Sequence, residues 1–474
     1  MASNTASGSM AQNQYLQITP SNLLSTGTIS FSGGNPVIQF LIAPQNRYLI
    51  GSSVRLAGKL KFYSAPNTRN VLSGAAQSQL NINARLGAYA LIDQLTLKAG
   101  SGPATGQTLE HIRHWNRMMA TYLSNTASYE DAIGHLQETS LGVPNYNLVQ
   151  QAVARESSLE GSNFCINLPC GMFNGQNPIP LWMSGGILVE IALSPNSNCL
   201  FAQEGVLNPG GAVPDITDCS YQLSDVYLLC ETMNPPDNIL KSIGSGKPMS
   251  YTYNSIHTFF STINSTNAIT NFNLSLKNVL GVFGNYIEAA SINNLVFDSM
   301  TTLPPNNDSV PGGITGNLSR ADITKIIWTR GGVKFPLQYD EDMTQKDLTI
   351  LTNGNQNRFI DPQIIRGYNN AVTQFSGTPG RLQGSPNNTF YTGNNRAGWS
   401  IGGGNRWNAV DGGSCFGVGV ALDQISDQGV DYSETPFGLN MNLNLTTNTP
   451  NAFYMFAHAR QTLILSGNGL QILS

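Results

Sequence analysis

The segment from Asn451 to Ser474 constrains the fold more than any other part of the chain. It consists of a long apolar run, a Gly-Asn-Gly turn and a short apolar tail. This pattern is typical of a β-strand that ends in a turn. A strand of this kind with a free edge would aggregate. It must therefore lie inside a sheet or against a neighbouring subunit, which indicates a β-protein built for assembly.

Composition also favours an all-β protein. The 474 residues are too many for one ordinary core and fit two domains. Charged residues make up only 11% of the chain, against about 25% in a typical soluble domain. The 48 glycines and 24 prolines supply frequent turns. These features are typical of a large β-protein with long polar loops.

The distribution of charge and cysteine argues against several classes of function. The net charge is −4, and no charged residue precedes Arg47, so we expect no direct binding to nucleic acid. The six cysteines show no Cys-x-x-Cys spacing, which predicts reduced thiols and no metal site or other cofactor. Neither a signal peptide nor an apolar run of about 18 residues is apparent, so we expect neither export nor a membrane-spanning helix.

Two series of short strand candidates run along the chain, separated by Gly, Pro and Asn. The first series is Val37–Ile42, Val54–Phe62, Tyr89–Leu97, Phe164–Leu168, Ile187–Leu193 and Tyr221–Cys230. The second series is Tyr251–Phe260, Phe272–Phe283, Ile323–Thr329, Gly438–Leu445 and Phe453–Leu465. Helical spacing of apolar residues also predicts an amphipathic helix over Thr108–Leu123, and a weaker one near Pro362–Phe375.

A double proline at Pro235-Pro236 divides the two series, because it cannot sit in a central strand. We predict an N-terminal arm over residues 1–30, a first domain over 31–234, a linker over 235–249 and a second domain over 250–474. Several strands follow one another in the same order in both halves. This order favours two copies of one eight-stranded antiparallel topology, although chance self-similarity among β-proteins would look alike.

Four patches resemble the double jelly-roll major capsid proteins of icosahedral DNA viruses. The branch that includes virophages, polinton-like viruses and related large DNA viruses of protists is the nearest. The patches are Leu91–Leu97 with Gly106–Glu110, Leu168–Asn174 with Ile179–Leu193, Tyr221–Leu229, and the C-terminal segment Ala459–Gly467. They span most of the chain in the family's order, whereas residues 376–413 match no part of the family pattern.

The resemblance implies an all-β fold of two consecutive eight-stranded antiparallel jelly rolls with short helices in the loops. It further implies a major capsid protein that forms pseudo-hexagonal homotrimers and tiles an icosahedral shell. Its partners would be itself, neighbouring capsomers, penton and minor capsid proteins, and in some relatives an internal membrane. Such a protein is located in the virion, is made in the host cytoplasm or a viral factory, and is not an enzyme.

Six apolar residues are the candidate assembly contacts. Leu470, Ile472 and Leu473 in the tail are predicted to be buried against the subunit's own base or a neighbour. Trp182, Trp399 and Trp407 are predicted to pack between subunits, where aromatic residues concentrate. The tryptophans in Asn- and Gly-rich loops are also compatible with glycan binding. A two-domain β-sandwich lectin or adhesin is therefore the alternative function.

Other motifs that could carry chemistry have simpler interpretations. His111 and His114 could face a metal on a helix, but no further ligand is placed to complete a site. The acidic cluster at Asp340–Asp342 is typical of a solvated loop, although calcium binding is compatible with it. Ser414-Cys415 lacks the surroundings of a nucleophile elbow. A β-sandwich hydrolase and a single-jelly-roll RNA-virus coat are therefore the weaker alternatives.

Overall fold

The structure is a computed structural model of the chain. It describes residues 13–21, 31–32, 37–65, 68–69, 80–82, 87–100, 106–119, 162–175, 177–196, 200–202, 220–243, 245, 247–263, 267–288, 323–335, 341–342, 418–422, 428–443, 451–466 and 469–473.

Thirteen strands are described in the first half of the chain. They are β1 (Gln14–Ile18), β2 (Phe31–Ser32), β3 (Ile38–Ile42), β4 (Tyr48–Ala65), β5 (Thr68–Arg69), β6 (Leu80–Ile82), β7 (Ile92–Ala99), β8 (Thr108–Ile112), β9 (Ser162–Asn167), β10 (Ile179–Pro180), β11 (Ile187–Leu193), β12 (Leu200–Ala202) and β13 (Ser220–Met233). A 3-10 turn, Gly87–Leu91, precedes β7, and residues 115–119 form helix α1.

A short helix, α2 (Asp237–Ile243), follows the double proline and leads into the second half. Its acidic residue lies in the first turn and Lys241 in the last, as the helix dipole favours. The described strands that follow are β14 (Met249–Ile263), β15 (Asn267–Phe272), β16 (Val279–Glu288), β17 (Ile323–Arg330), β18 (Val333–Lys334), β19 (Glu341–Asp342), β20 (Val418–Ala421), β21 (Phe437–Leu443), β22 (Asn451–Ser466) and β23 (Gly469–Leu473).

The two halves have the same topology. In the first half, one sheet pairs its main strands in the order β1-β13-β4-β9 and the other in the order β3-β11-β7-β8. In the second half, the corresponding orders are β14-β22-β16-β20 and β15-β21-β17-β18. If the eight main strands of each half are numbered in chain order, the two sheets of each half have the strand orders 1-8-3-6 and 2-7-4-5. This is the strand order of a jelly roll, so the chain is all-β and folds into two consecutive jelly rolls, as predicted.

Most predicted strands lie where the sequence indicated. The alternating residues of Ile187–Leu193 produce a strand that buries every second side chain. The strand predicted over Phe272–Phe283 is wrong, because β15 ends at Phe272 and β16 begins at Val279. Gln14–Ile18, placed in the arm by sequence, pairs with β13 as the first strand of the first roll. The helix predicted near Pro362–Phe375 lies outside the described residues.

The helix predicted over Thr108–Leu123 is wrong in its first part. Thr108–Ile112 is strand β8, which pairs with β7. A register shift beside Leu97 leaves Leu109 opposite no partner, so that both Leu109 and Glu110 are buried. His114 has a φ of 54° and turns the chain out of the strand before α1. The bulge inserts one extra residue into β8, so the buried residues no longer alternate strictly and their spacing resembles that of a helix.

The sheets of the two rolls meet edge to edge. Strand β14 of the second roll runs parallel to β8 of the first, and one residue pair, His257 and His111, bridges them. This bridge joins the two sheets into one of nine strands. A large hydrophobic core fills the first roll and extends to Tyr253, Ile256 and Phe456 of the second. A separate core fills the second roll.

Candidate functional site at the seam between the rolls

The contact of β14 and β22 with β8 and the loop 168–174 is here called the seam. Strand β22 lies beside β14 in the centre of its sheet and buries both of its faces. Tyr454 and Phe456 belong to the first core, whereas Met455 and Ala457 belong to the second. A strand covered on both sides reads as a continuous apolar run. The two cores therefore explain the apolar sequence that begins at Asn451.

Glu110 is the central polar residue of the seam. It is 3% exposed, and its carboxylate accepts three backbone N–H groups. Gly171 N lies 2.9 Å from Oε1 and Met172 N lies 2.9 Å from Oε2. Ile256 N, on β14 of the second roll, donates to Oε1 at 2.7 Å. One carboxylate of the first roll thereby satisfies the backbone of both rolls.

The surroundings of Glu110 act on its pKa in opposite directions. The pKa of Glu110 is raised to about 7, because the effect of burial outweighs that of the three N–H groups and the Cys170 side chain, which lower it. Burial and the nearby Glu110 carboxyl raise the pKa of the Cys170 thiol well above its usual value. The Tyr253 pKa is also raised, mainly by burial. The seam therefore holds a carboxyl group that titrates near neutrality among groups that stay uncharged.

Further hydrogen bonds cross the seam from β14. The Tyr253 hydroxyl donates to the Leu109 carbonyl at 2.8 Å. The Thr258 hydroxyl donates to the Arg113 carbonyl at 3.0 Å. Each is a side chain of the second roll that satisfies a carbonyl in or just after β8. Together with Glu110, they fix the position of β14 along β8 although the strands share only one bridging pair.

Gly171 permits the close approach of the loop to β14. A Cβ built on this residue would lie 2.5 Å from the Asn254 carbonyl oxygen and 2.7 Å from the Ser255 Cα. Both are backbone atoms of the second roll, so neither can move aside cheaply. A glycine is therefore required at this position for the loop to reach β14.

The C-terminal tail closes one end of the seam. Strand β23 pairs with the end of β22, and β14 pairs with the other side of β22. Leu470 lies opposite Leu465, which lies opposite Met249. Ile472 lies opposite Leu463, which lies opposite Tyr251. These six side chains belong to the first core or pack against it, so the tail packs on the core that the two rolls share.

The predicted assembly residues have different positions. Leu470 and Ile472 are partly buried against the subunit's own first core, and Leu473 is 54% exposed. Trp182 is half-buried and packs edge-on against Tyr48, with ring centroids 4.8 Å apart. Trp399 and Trp407 lie outside the described residues. Leu470 and Ile472 therefore have a role inside the subunit, and the role of all six residues in assembly stays a prediction.

Those of the other chemical motifs that the structure describes form no recognisable reactive site. His111 Nδ1 lies 2.7 Å from the Thr96 hydroxyl, and His114 Nδ1 lies 3.7 Å from Asp93 Oδ1. Within the described parts of the chain, no group of three or more potential ligands could hold a metal ion. Cys165, Cys170 and Cys230 are free thiols. Ser414, Cys415 and Asp340 lie outside the described residues.

Sequence reasoning did not identify Glu110 as a seam residue. The signal was a single acid in the short segment between the apolar residues Leu109 and Ile112, in a chain that is poor in charge. Such an acid requires several donors when it is buried. Its donors come from segments 61 and 146 residues away, so no local pattern could reveal them.

No helix among the described residues has the length and hydropathy needed to cross a membrane.

Taken together, two rolls of identical topology joined at one seam define a double jelly-roll protein. No family model matches the chain, and no curated protein matches it significantly. The solved structures that match it include the capsid of the virus PBCV-1, with a TM-score of 0.53 and 11% identity over 98% of this chain and 96% of that one. The Faustovirus major capsid protein matches with a TM-score of 0.52 and 10% identity, over 98% and 92% of the two chains. These similarities show a shared fold across nearly the whole chain.

Proposed function

We propose that the chain is a major capsid protein, a structural subunit that forms pseudo-hexagonal homotrimers and tiles an icosahedral shell. The observation that carries the proposal is the double jelly roll itself, which matches viral capsid structures over 98% of the chain. The seam supports it, because it joins the two rolls into one unit suited to tiling. In this function the subunit is structural and has no catalytic role.

Exposed apolar side chains at sheet edges support self-association. Tyr15, Ile269, Val333 and Leu473 are 79%, 68%, 71% and 54% exposed. They lie on β1, β15, β18 and β23, which are terminal strands of the described sheets. Apolar edge strands are an aggregation hazard unless another chain covers them. Burial between subunits would remove this hazard, so the trimer and neighbouring capsomers are the proposed partners.

The remaining parts of the proposal concern location and further partners. The subunit would lie in the virion after synthesis in the host cytoplasm or a viral factory. It would contact penton and minor capsid proteins and, at its inner end, an internal membrane where one exists. The net charge of −4 supports a shell that does not bind the genome directly. The glycan-binding alternative rests on Trp399 and Trp407, so no described residue favours it.

Mass and shape of the purified protein test this function. We expect light scattering at micromolar concentration to give about 153 kDa, three times the 51.0 kDa of one chain, or larger assemblies. Negative-stain images should show three-fold particles with a hexagonal outline. A stable 51 kDa monomer without such particles would contradict the proposal. Binding of the monomer to a glycan array would then favour the lectin alternative.

A further inference from the structure

The seam joins two different edges of the same topology. Strand β8 is the fifth main strand of the first roll, and β14 is the first main strand of the second roll. The two strands run parallel, with His257 and His111 as the bridging pair. Each roll therefore keeps one edge that the seam does not use. These edges are β1, the first main strand of the first roll, and β18, the fifth main strand of the second roll.

Both unused edges are open in the described sheets. Within those sheets, β1 pairs only with β13, and β18 pairs only with β17. Tyr15 on β1 is 79% exposed and Val333 on β18 is 71% exposed, the two largest values among the large apolar side chains that the structure describes. The equivalent strands at the seam bury such side chains, as Ile112 of β8 and Ile256 of β14 show. The same kinds of edge are thus covered where they meet inside the subunit and uncovered where they do not.

The two open edges carry opposite charges beside these apolar residues. Glu231 lies directly opposite Tyr15 on the neighbouring strand β13, so the two side chains share one face of the sheet. Arg330 lies directly opposite Val333 on the neighbouring strand β17. Each edge therefore presents an apolar side chain with a charged one beside it, acidic at β1 and basic at β18. Such edges are complementary to each other and not to themselves.

Local hydrogen bonds hold both charged side chains, which are half-buried, at their edges. The Asn13 side-chain amide donates to the Glu231 carboxylate. Arg330 Nε and Nη2 donate to the Asp431 carbonyl oxygen at 3.2 Å and 2.9 Å. The Asp431 carboxylate accepts the Ser433 N–H and hydroxyl, so Arg330 is held through a neutral carbonyl group and its charge stays at the edge. Charges that are already positioned lose little conformational entropy when a partner binds.

We propose that the β18 edge of one subunit binds the β1 edge of a second copy, in the parallel arrangement that β8 and β14 adopt at the seam. The contact brings Val333 and Arg330 of one copy to Tyr15 and Glu231 of the next. Because the two edges differ, the contact repeats head to tail until the ring closes. Three copies place six rolls in the ring, and every two neighbouring rolls meet through the same two kinds of edge. The inference rests on the proposed function and names the surface through which the homotrimer forms.

Pairing of like edges is disfavoured by the same residues. Two β1 edges would bring the Glu231 carboxylates of both copies together, and two β18 edges would bring the Arg330 guanidinium groups together. A two-fold dimer would also cover only one kind of edge and leave the other open in each copy. The head-to-tail contact covers both edges of every subunit.

Charge substitutions in the full-length protein test the contact by light scattering across a dilution series. Tyr15→Lys places a charge that would face Arg330 of the next copy, and Val333→Glu places one that would face Glu231. We expect each variant to raise the concentration at which half of the chains are assembled by at least about tenfold. With both substitutions in one chain, the introduced charges face each other, and assembly should return to within about threefold of wild type. Asn238→Lys on the exposed surface of α2 is the control and should assemble normally.

The outcomes separate this contact from the proposed function. Normal assembly of either single variant would overturn the contact, because pairing of like edges leaves one of the two variants unaffected. A double variant that circular dichroism shows to be folded but that stays at 51 kDa would overturn it equally. Should Tyr15→Lys fail to fold, Gln17→Lys takes its place, since Gln17 lies on the same exposed face of β1. A wild-type protein that stays monomeric would instead contradict the proposed function together with the contact.

Discussion

The Glu110 carboxylate on β8 of the first roll accepts the Ile256 N–H on β14 of the second roll at 2.7 Å. The same carboxylate also accepts two N–H groups of the loop 168–174. A buried carboxylate that satisfies three backbone donors in two rolls makes the seam a specific contact. Apolar packing alone would leave the three N–H groups without an acceptor.

Replacing Glu110 by Ala should strongly destabilise the protein. The three buried N–H groups would lose their acceptor, at a cost of about 3–5 kcal/mol in the free energy of unfolding. Urea denaturation followed by circular dichroism would measure the loss. Glu434→Ala is the control, because Glu434 is an exposed acidic residue and its removal should change the free energy of unfolding by less than about 0.5 kcal/mol. Equal losses in the two variants would show that Glu110 is not central to the seam.

Gly171→Ala should separate the loop from β14. The added methyl group would meet the Asn254 carbonyl oxygen at 2.5 Å, which requires the backbone to shift. We expect a loss of about 2–4 kcal/mol and faster hydrogen exchange at the Ile256 amide. Gly175→Ala, directly after the turn that contains Gly171, is the matched control, because its nearest contact would be the Met172 carbonyl oxygen at 3.3 Å. Wild-type exchange at Ile256 in Gly171→Ala would contradict the close approach.

Leu470→Ala and Leu473→Ala should distinguish a residue that stabilises the fold from one that stabilises the assembly. Leu470 packs against the first core, so its truncation should cost about 1–2 kcal/mol of stability. Leu473 is 54% exposed, and its truncation should change stability by less than about 0.5 kcal/mol. If Leu473 contacts a neighbouring subunit, its truncation should instead weaken the trimer, as measured by light scattering across a dilution series. A normal trimer in Leu473→Ala would remove this residue from the interface.

Ile269→Lys should reduce assembly without unfolding the subunit. Ile269 is 68% exposed on the terminal strand β15, so a charge at this position is solvated in the monomer. Between subunits, the same charge would be buried without a partner. We expect a shift toward the 51 kDa species with an unchanged melting temperature. Asn238→Lys adds the same charge on the exposed surface of α2 and should leave the mass distribution unchanged.

The sequence by itself determined the β class, the two rolls and the order of most strands. Alternating segments such as Ile187–Leu193 carry this information locally, because side chains of a strand alternate between its faces. The corresponding closing strands, Tyr221–Cys230 and Phe453–Leu465, could be matched for the same reason. These features depend on residues that lie close together along the chain.

Only the tertiary structure decided the nature of β8 and the position of the tail. The apolar spacing from Leu109 to Met119 suits a helix, but pairing with β7 and a bulge make its first part a strand. Leu470 and Ile472 are apolar in either environment, and the pairing of β23 with β22 places them against the core that the two rolls share. The partners of Glu110 come from a distant loop and from the other roll. Such contacts are set by packing between segments far apart in sequence, so local periodicity carries no trace of them.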